Sequence, residues 1–304
     1  MKRQSALVDY GSSDDDTSPS ESPVVPVTKK RRLPTLAPSF TLSAPKDNPA
    51  LHQGRVRSSP HVEGQFAAYV YIPIKLVPSG SLYSLLRKVV KRAGDFVPIL
   101  HPIGVSINPE DSNLENIGER EMHISLTRPV YLRAHQRDDF KTALRTIAKG
   151  CSPFHASFAT FAELTNDERT RTFLTAEIGA GHSELKVLCD AITPVLRTYR
   201  QEAFYSEPRF HASIAWALLP NAKHAQGANT SQHIIQDEAQ TSTTSTGEVN
   251  NVNFPTIPHF PPDMVAALDE EFGSVLRSRT VGVFECEHLC VRIGKDVARW
   301  KFVT

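Results

Sequence analysis

The chain has 304 residues, 40% of them hydrophobic and 22% charged, with a formal net charge of +1. That is enough to bury a substantial core in one large domain or two small ones. The near-neutral balance excludes broad electrostatic attraction to nucleic acid, so any RNA contact is expected to be short and local. No apolar run approaches the roughly 18 residues that cross a bilayer. The N-terminus MKRQSALVDYGSSDDD lacks the apolar core of a secretory signal, so an intracellular protein is expected. Cys151, Cys189, Cys286 and Cys290 are far apart or at C-x3-C, neither a redox pair nor a zinc spacing, and read as reduced thiols.

Residues 1–60 are rich in Ser, Pro, Asp and Lys and poor in aromatics. Such text buries too little apolar surface to offset the entropy of ordering it, so a disordered arm is expected. Within it Lys29, Lys30, Arg31 and Arg32, flanked by prolines, form a nuclear-import candidate. The remainder, 61–304, reads as one domain with lobes intertwined. It is interrupted at about 221–258 by a low-complexity tract (AQTSTTSTGEVNN) expected to be a disordered insertion.

Gln65 to Leu76 (QFAAYVYIPIKL) is a β-rich run. Behind Ser79-Gly80-Ser81, Leu82, Leu85, Leu86, Val89 and Val90 then recur at helical spacing. After the polar stretch INPEDSNLENIGERE comes a strand containing His123, then a helix from about Asp138 with Phe140, Leu144 and Ile147 inward, ended by Gly150. The strand containing His155 closes a β-α-β-α-β series. Its counterpart begins with a strand from Arg171 to Ile178. A helix from Ser183 follows, with Leu185, Leu188, Ile192 and Leu196 inward and Pro194 inside. Next are a strand from Phe210 to Leu218, a helix near Met264 to Phe272, and strands at Val283 to Val291 and Ala298 to Val303. The spacing therefore predicts an α+β domain with an internal duplication.

Three His-x-Ser tripeptides occur, at His123, His155 and His211. Two of them, His123 and His211, fall on the same element of each half, the strand after the first helix. Alternation along a strand puts His123 with Ser125 on one face and Met122, Ile124 and Leu126 on the other. His211 and Ser213 are likewise opposed to Phe210, Ala212 and Ile214. Halves packed as pseudo-twofold mates would bring two imidazoles and two hydroxyls together. A pKa near 6.5 lets one ring act as base while the other acts as acid. The hydroxyls can donate to phosphate oxygens. Such a set suits a phosphodiester that carries its own nucleophile, as RNA does in its 2′-hydroxyl. No metal or other cofactor is called for.

At these motifs the chain resembles the two-histidine (2H) phosphoesterase superfamily. It is most similar to the branch that trims the uridine-rich 3′ end of U6 small nuclear RNA. The likeness runs through LVDYGSS, GRVRSSPHVEGQFAAYVYIP, MHISLTR, NDERTRTFLTAEIGAGH and FYSEPRFHASIAW, and covers residues 51–219 well. It implies a bilobed fold with two antiparallel β-sheets facing a central cleft and helices outside. It also implies a nuclear, monomeric, metal-independent 3′-to-5′ exoribonuclease with a role in splicing. By that resemblance His211 is the base on the 2′-OH and His123 the acid at the departing 5′-oxygen. Ser125 and Ser213 hold the phosphate, and Tyr205 stacks on the terminal base. The product end is a 2′,3′-cyclic phosphate, in some relatives opened further. Trp216 reads as core, His182 as structural, and His155 stands outside the site. Two other readings remain at this stage, a phosphodiesterase that opens cyclic phosphates on other RNA ends and a non-catalytic nuclear RNA-binding protein.

Overall fold

A computed structural model describes residues 48–55, 62–107, 121–220 and 254–303. Residues 1–47 of the arm with the basic cluster at Lys29–Arg32, residues 56–61, most of the polar stretch before His123 and the insertion up to residue 253 lie outside the described residues.

The first half runs β1 (Gln65–Lys75), α1 (Ser81–Phe96), β2 (His101–Pro102), β3 (Glu121–Ser125), β4 (Val130–Arg133), α2 (Arg137–Lys149) and β5 (Phe154–Thr165). The second runs β6 (Arg171–Ile178), α3 (His182–Thr198), β7 (His211–Leu218), α4 (Pro262–Leu276), β8 (Val283–Cys286), β9 (His288–Ile293) and β10 (Asp296–Lys301). The long periodic runs thus form the elements their spacing predicts. In α1 the buried arc is Tyr83, Leu85, Leu86, Val89, Val90 and Ala93, with Leu82 only partly covered, so the helix is rotated slightly from the expected stripe. In α2 the carboxylates of Asp138 and Asp139 lie in the first turn, where the helix dipole favours negative charge. Pro194 lies inside α3 without ending it. Burial of Leu185, Leu188, Cys189, Ile192 and Leu196 outweighs the one backbone bond that proline removes, since each large aliphatic contributes about 1.5–3 kcal/mol.

All pairings are antiparallel, and the strand order is β10-β9-β1-β3-β7-β6-β5-β8, with β4 also on β1 and β2 on β7. The order shows an exchange between halves. The first half's last strand, β5, flanks β6 of the second, while β9 of the second flanks β1 of the first. One predicted strand, Val283 to Val291, is therefore two. The chain leaves β5 after Cys286, pairs with β10 from His288 and with β1 from Cys290, so the ladder breaks at Glu287. The two sets of strands meet through a single bridge, Ile124 with Ala212, so they form one hydrogen-bonded path. Ile72, Met122, Ile124, Ala212 and Ile214 are buried on one side of this region, in the same core as the helices' apolar faces.

Pro73 falls inside a central strand, where its missing N–H would normally break the ladder. It is tolerated because pairing with β9 ends at Tyr71, leaving Pro73 flanked by β3 alone. Residues 48–55 correct the expected extent of the arm. Pro49–His52 form a 3-10 turn capped by Asn48, whose side chain accepts from the Ala50 N–H. Gly54, at φ +80°, lies so close to Leu218 and Phe254 that a Cβ would come within 2.5 Å of Leu218 Cδ1. Contacts distant in sequence hold a segment whose local composition reads as disordered.

Candidate active site

The bridge between Ile124 and Ala212 sets the site. His123 and Ser125 flank Ile124 on β3, and His211 and Ser213 flank Ala212 on β7. Ile124 and Ala212 point into the core, so all four polar side chains occupy the other face. Each is partly exposed there. The two imidazoles are close enough for the His211 charge to act on His123. The strands that carry these pairs, β3 and β7, are adjacent at the Ile124–Ala212 bridge.

The two rings have unlike surroundings. His211 Nδ1 lies 2.6 Å from the Arg209 carbonyl oxygen. A carbonyl only accepts, so Nδ1 carries the proton and Nε2 of the neutral ring keeps its lone pair. Burial pushes the His211 pKa below the ordinary value, while the Arg209 carbonyl and the Glu177 carboxylate oppose that shift. Glu177 is the register partner of His211 on β6 and is itself bridged by the Arg209 guanidinium, with Nε at 2.7 Å. His123 is pushed down to about 4 by burial first, then by the charges of His211 and Arg292. One ring is thus placed where a proton is tolerated and the other where it is readily given up.

Tyr205 sits apart from this group. Its hydroxyl donates to both Asp167 carboxylate oxygens at 2.9 and 2.8 Å, its ring lies under the Arg128 guanidinium at 4.2 Å, and it is 40% exposed. Burial and the Asp167 carboxylate push its phenol up to about 12, so it stays protonated. Trp216 is buried, with His101 stacked on it at 4.3 Å, a core role as expected. His182 bonds the Pro208 carbonyl through Nε2 and packs edge-on against Phe210, fixing the approach to β7. His155 is exposed on β5 opposite Glu285.

Sequence reasoning missed the flank beside His123. Tyr69 and Tyr71 share the polar face, their ring centroids each 5.5 Å from that of His123 and 5.2 Å from one another. Tyr71 donates to Glu121, which also holds Arg299 at 2.7 Å. Arg292 stands opposite Tyr69 on β9. The tyrosines' two-residue spacing within an apolar strand was a readable signal, because on alternation both must leave the core face. Among the described residues no group of three or more His, Cys, Asp or Glu is placed to hold a metal ion.

A family profile described as "HVSL: Uncharacterised conserved protein" matches residues 32–258. Among curated proteins the chain is 30% identical over 230 residues to U6 snRNA phosphodiesterase 1 of Drosophila melanogaster, covering 70% of this chain and 82% of that one. It is also 30% identical over 232 residues to the protein of the same name from Xenopus laevis, covering 73% and 84%. The human protein of that name is 30% identical over 181 residues, 59% of this chain and 60% of that one. In fold, a solved structure of Kluyveromyces marxianus Usb1 with uridine monophosphate overlays with a TM-score of 0.50 at 10% identity, covering 78% of this chain and 98% of that one. With a family profile spanning most of its length and relatives matched over most of theirs, this chain belongs to the HVSL family and to the U6 snRNA phosphodiesterases.

Proposed function

We propose that the chain is a phosphodiesterase of U6 small nuclear RNA 3′-end processing, removing 3′-terminal nucleotides, uridines by preference, through attack of the RNA's own 2′-hydroxyl. The observation that carries the reading is the Ile124–Ala212 register, which gathers His123, Ser125, His211 and Ser213 on one face. Membership among the U6 snRNA phosphodiesterases supports the substrate.

In this reaction His211 Nε2 takes the proton of the 2′-hydroxyl on the penultimate nucleotide as the 2′-oxygen bonds to phosphorus. The bond to the 5′-oxygen of the terminal nucleotide breaks, and His123 gives that oxygen its proton. The products are a shortened RNA with a 2′,3′-cyclic phosphate and a free nucleoside. The division of roles follows the electrostatics. The Arg209 carbonyl and Glu177 favour a proton on His211, so it is the better base. His211 and Arg292 oppose one on His123, so protonated His123 is the stronger acid. At neutral pH His123 in the empty site is deprotonated and must gain its proton with the substrate. A phosphate charge about 4 Å away favours the imidazolium by about 4 kcal/mol at an effective dielectric of 20, roughly three pKa units. That is enough to lift the ring into the neutral range. Ser125 and Ser213 donate to the non-bridging oxygens where charge develops. Tyr205 offers a ring on which the terminal base stacks.

The test is incubation of the purified chain with an oligouridine ending in a 2′,3′-diol, in excess EDTA, with the new ends identified by mass spectrometry. Stepwise loss leaving cyclic or linear phosphate ends supports the reading. An intact oligonucleotide, or activity restored only by a divalent metal, refutes it. Nuclear location and a role in splicing are part of the proposal; the first rests on Lys29–Arg32 and is checked by replacing all four with Ala and following the chain in cells.

A further inference from the structure

We propose that Arg292, the cross-strand partner of Tyr69, is a phosphate-binding residue of the two-histidine site, holding an anionic RNA oxygen on the His123 side. The inference rests on the reading of His123 and His211 as the reacting pair. Register places the parts: Tyr69 is opposite Arg292, Tyr71 is opposite Ser125, and the strand of Ser125 meets that of His211 at the Ile124–Ala212 bridge. Against the upward push of burial, the Arg292 charge lowers the pKa of the Tyr69 phenol, and the Tyr69 ring lies 5.5 Å from that of His123. Tyrosine therefore links the cation to the acid.

The charge census around the pair singles Arg292 out. On the His211 side Arg209 is neutralised by Glu177, and beyond Tyr71 Arg299 is neutralised by Glu121. Arg292 is exposed, and among the described residues no carboxylate forms an ion pair with it. A guanidinium carries five N–H donors. They form a planar fork that matches phosphate.

The experiment follows the full chain by NMR while inorganic phosphate is added, observing the His123 ring and the Arg292 Nε–H, and in parallel measures trimming of a diol-ended oligouridine. Arg292→Gln should weaken phosphate binding and lower kcat/KM by about tenfold to a hundredfold, the size of one lost charge-assisted bond. Arg292→Lys should recover part of both, because it restores charge without the fork. Tyr69→Phe should lose less than Arg292→Gln. Arg292→Gln within twofold of wild type in both measurements overturns the proposal. Should that variant fold poorly, wild-type protein still decides, since phosphate that leaves both the Arg292 and His123 signals unmoved overturns it as well. A wild-type chain that binds phosphate through Arg292 but leaves RNA intact would count against the proposed reaction while leaving the phosphate site standing.

Discussion

Replacing His123 with Gln should make the fold less sensitive to acid, and the size of the effect follows from the ring's surroundings. In the folded chain its pKa is pushed down to about 4, whereas an unfolded chain protonates histidine near 6.5. Above pH 6.5 the ring is neutral in both states and contributes nothing. As pH falls through 6.5 the unfolded chain takes up a proton that the folded chain refuses. Stability drains away until the folded ring also protonates near pH 4, below which the loss is constant. The gap between 6.5 and about 4, at 1.36 kcal/mol per unit, caps the loss at about 3 kcal/mol. Because part of the ring meets solvent, about 2 kcal/mol is the expected value. Gln keeps the polarity and cannot titrate. Urea denaturation of wild type and His123→Gln from about pH 7.5 to about pH 4 measures the difference directly. The stability gap between them should shift against wild type by that amount as pH falls. Parallel curves would show that His123 is not desolvated as described, and would remove the basis for its being a strong acid.

Two further outcomes are expected. At pH above its titration, His211 should exist as the Nδ1–H tautomer, read from ring nitrogen chemical shifts, because the Arg209 carbonyl can only accept; an Nε2–H tautomer would leave no lone pair for the 2′-hydroxyl. Tyr205→Ala should raise KM by roughly fivefold to a hundredfold with kcat little changed, the signature of lost base stacking worth about 1–3 kcal/mol. Tyr205→Phe keeps the ring, gives up the Asp167 bonds and should lie near wild type. A kcat loss as large as the KM change would place Tyr205 in the chemistry instead.

What could be read from the sequence was local, and what could not was pairing. Alternation placed His123 and Ser125 opposite Met122 and Ile124, and helical spacing found Leu85, Leu86, Val89 and Val90, since each signal needs only near neighbours in the chain. The Ile124–Ala212 bridge is set by where two halves meet, and no tripeptide encodes it. The Tyr69–Arg292 flank was invisible for the same reason, because β1 and β9 come from opposite ends of the described domain. The break at Glu287 follows from a change of partner strand, not from any turn residue. Residues 48–55 gain their order from Leu218 and Phe254, so their composition misled.

His155 separates motif from site. Its tripeptide, His-Ala-Ser, is identical to that at His211, and it too lies on a strand. Yet β5 presents it to solvent, with Glu285 facing it across β8, where His211 faces the strand of the other imidazole. A cross-strand pair of that kind contributes about 0.2–1 kcal/mol, and exposed substitutions rarely exceed about half a kcal/mol. His155→Ala should therefore unfold within about a degree or two of wild type and trim RNA at an unchanged rate, the thermal shift following from the usual scaling with chain length. A folded but inactive His155→Ala protein would mean that the tripeptide itself carries function. Retained activity, beside loss in the Ala variant of His211, would locate the function in the bridge that sets the strand of His211 against that of His123, because sequence and strand type are held constant between the two.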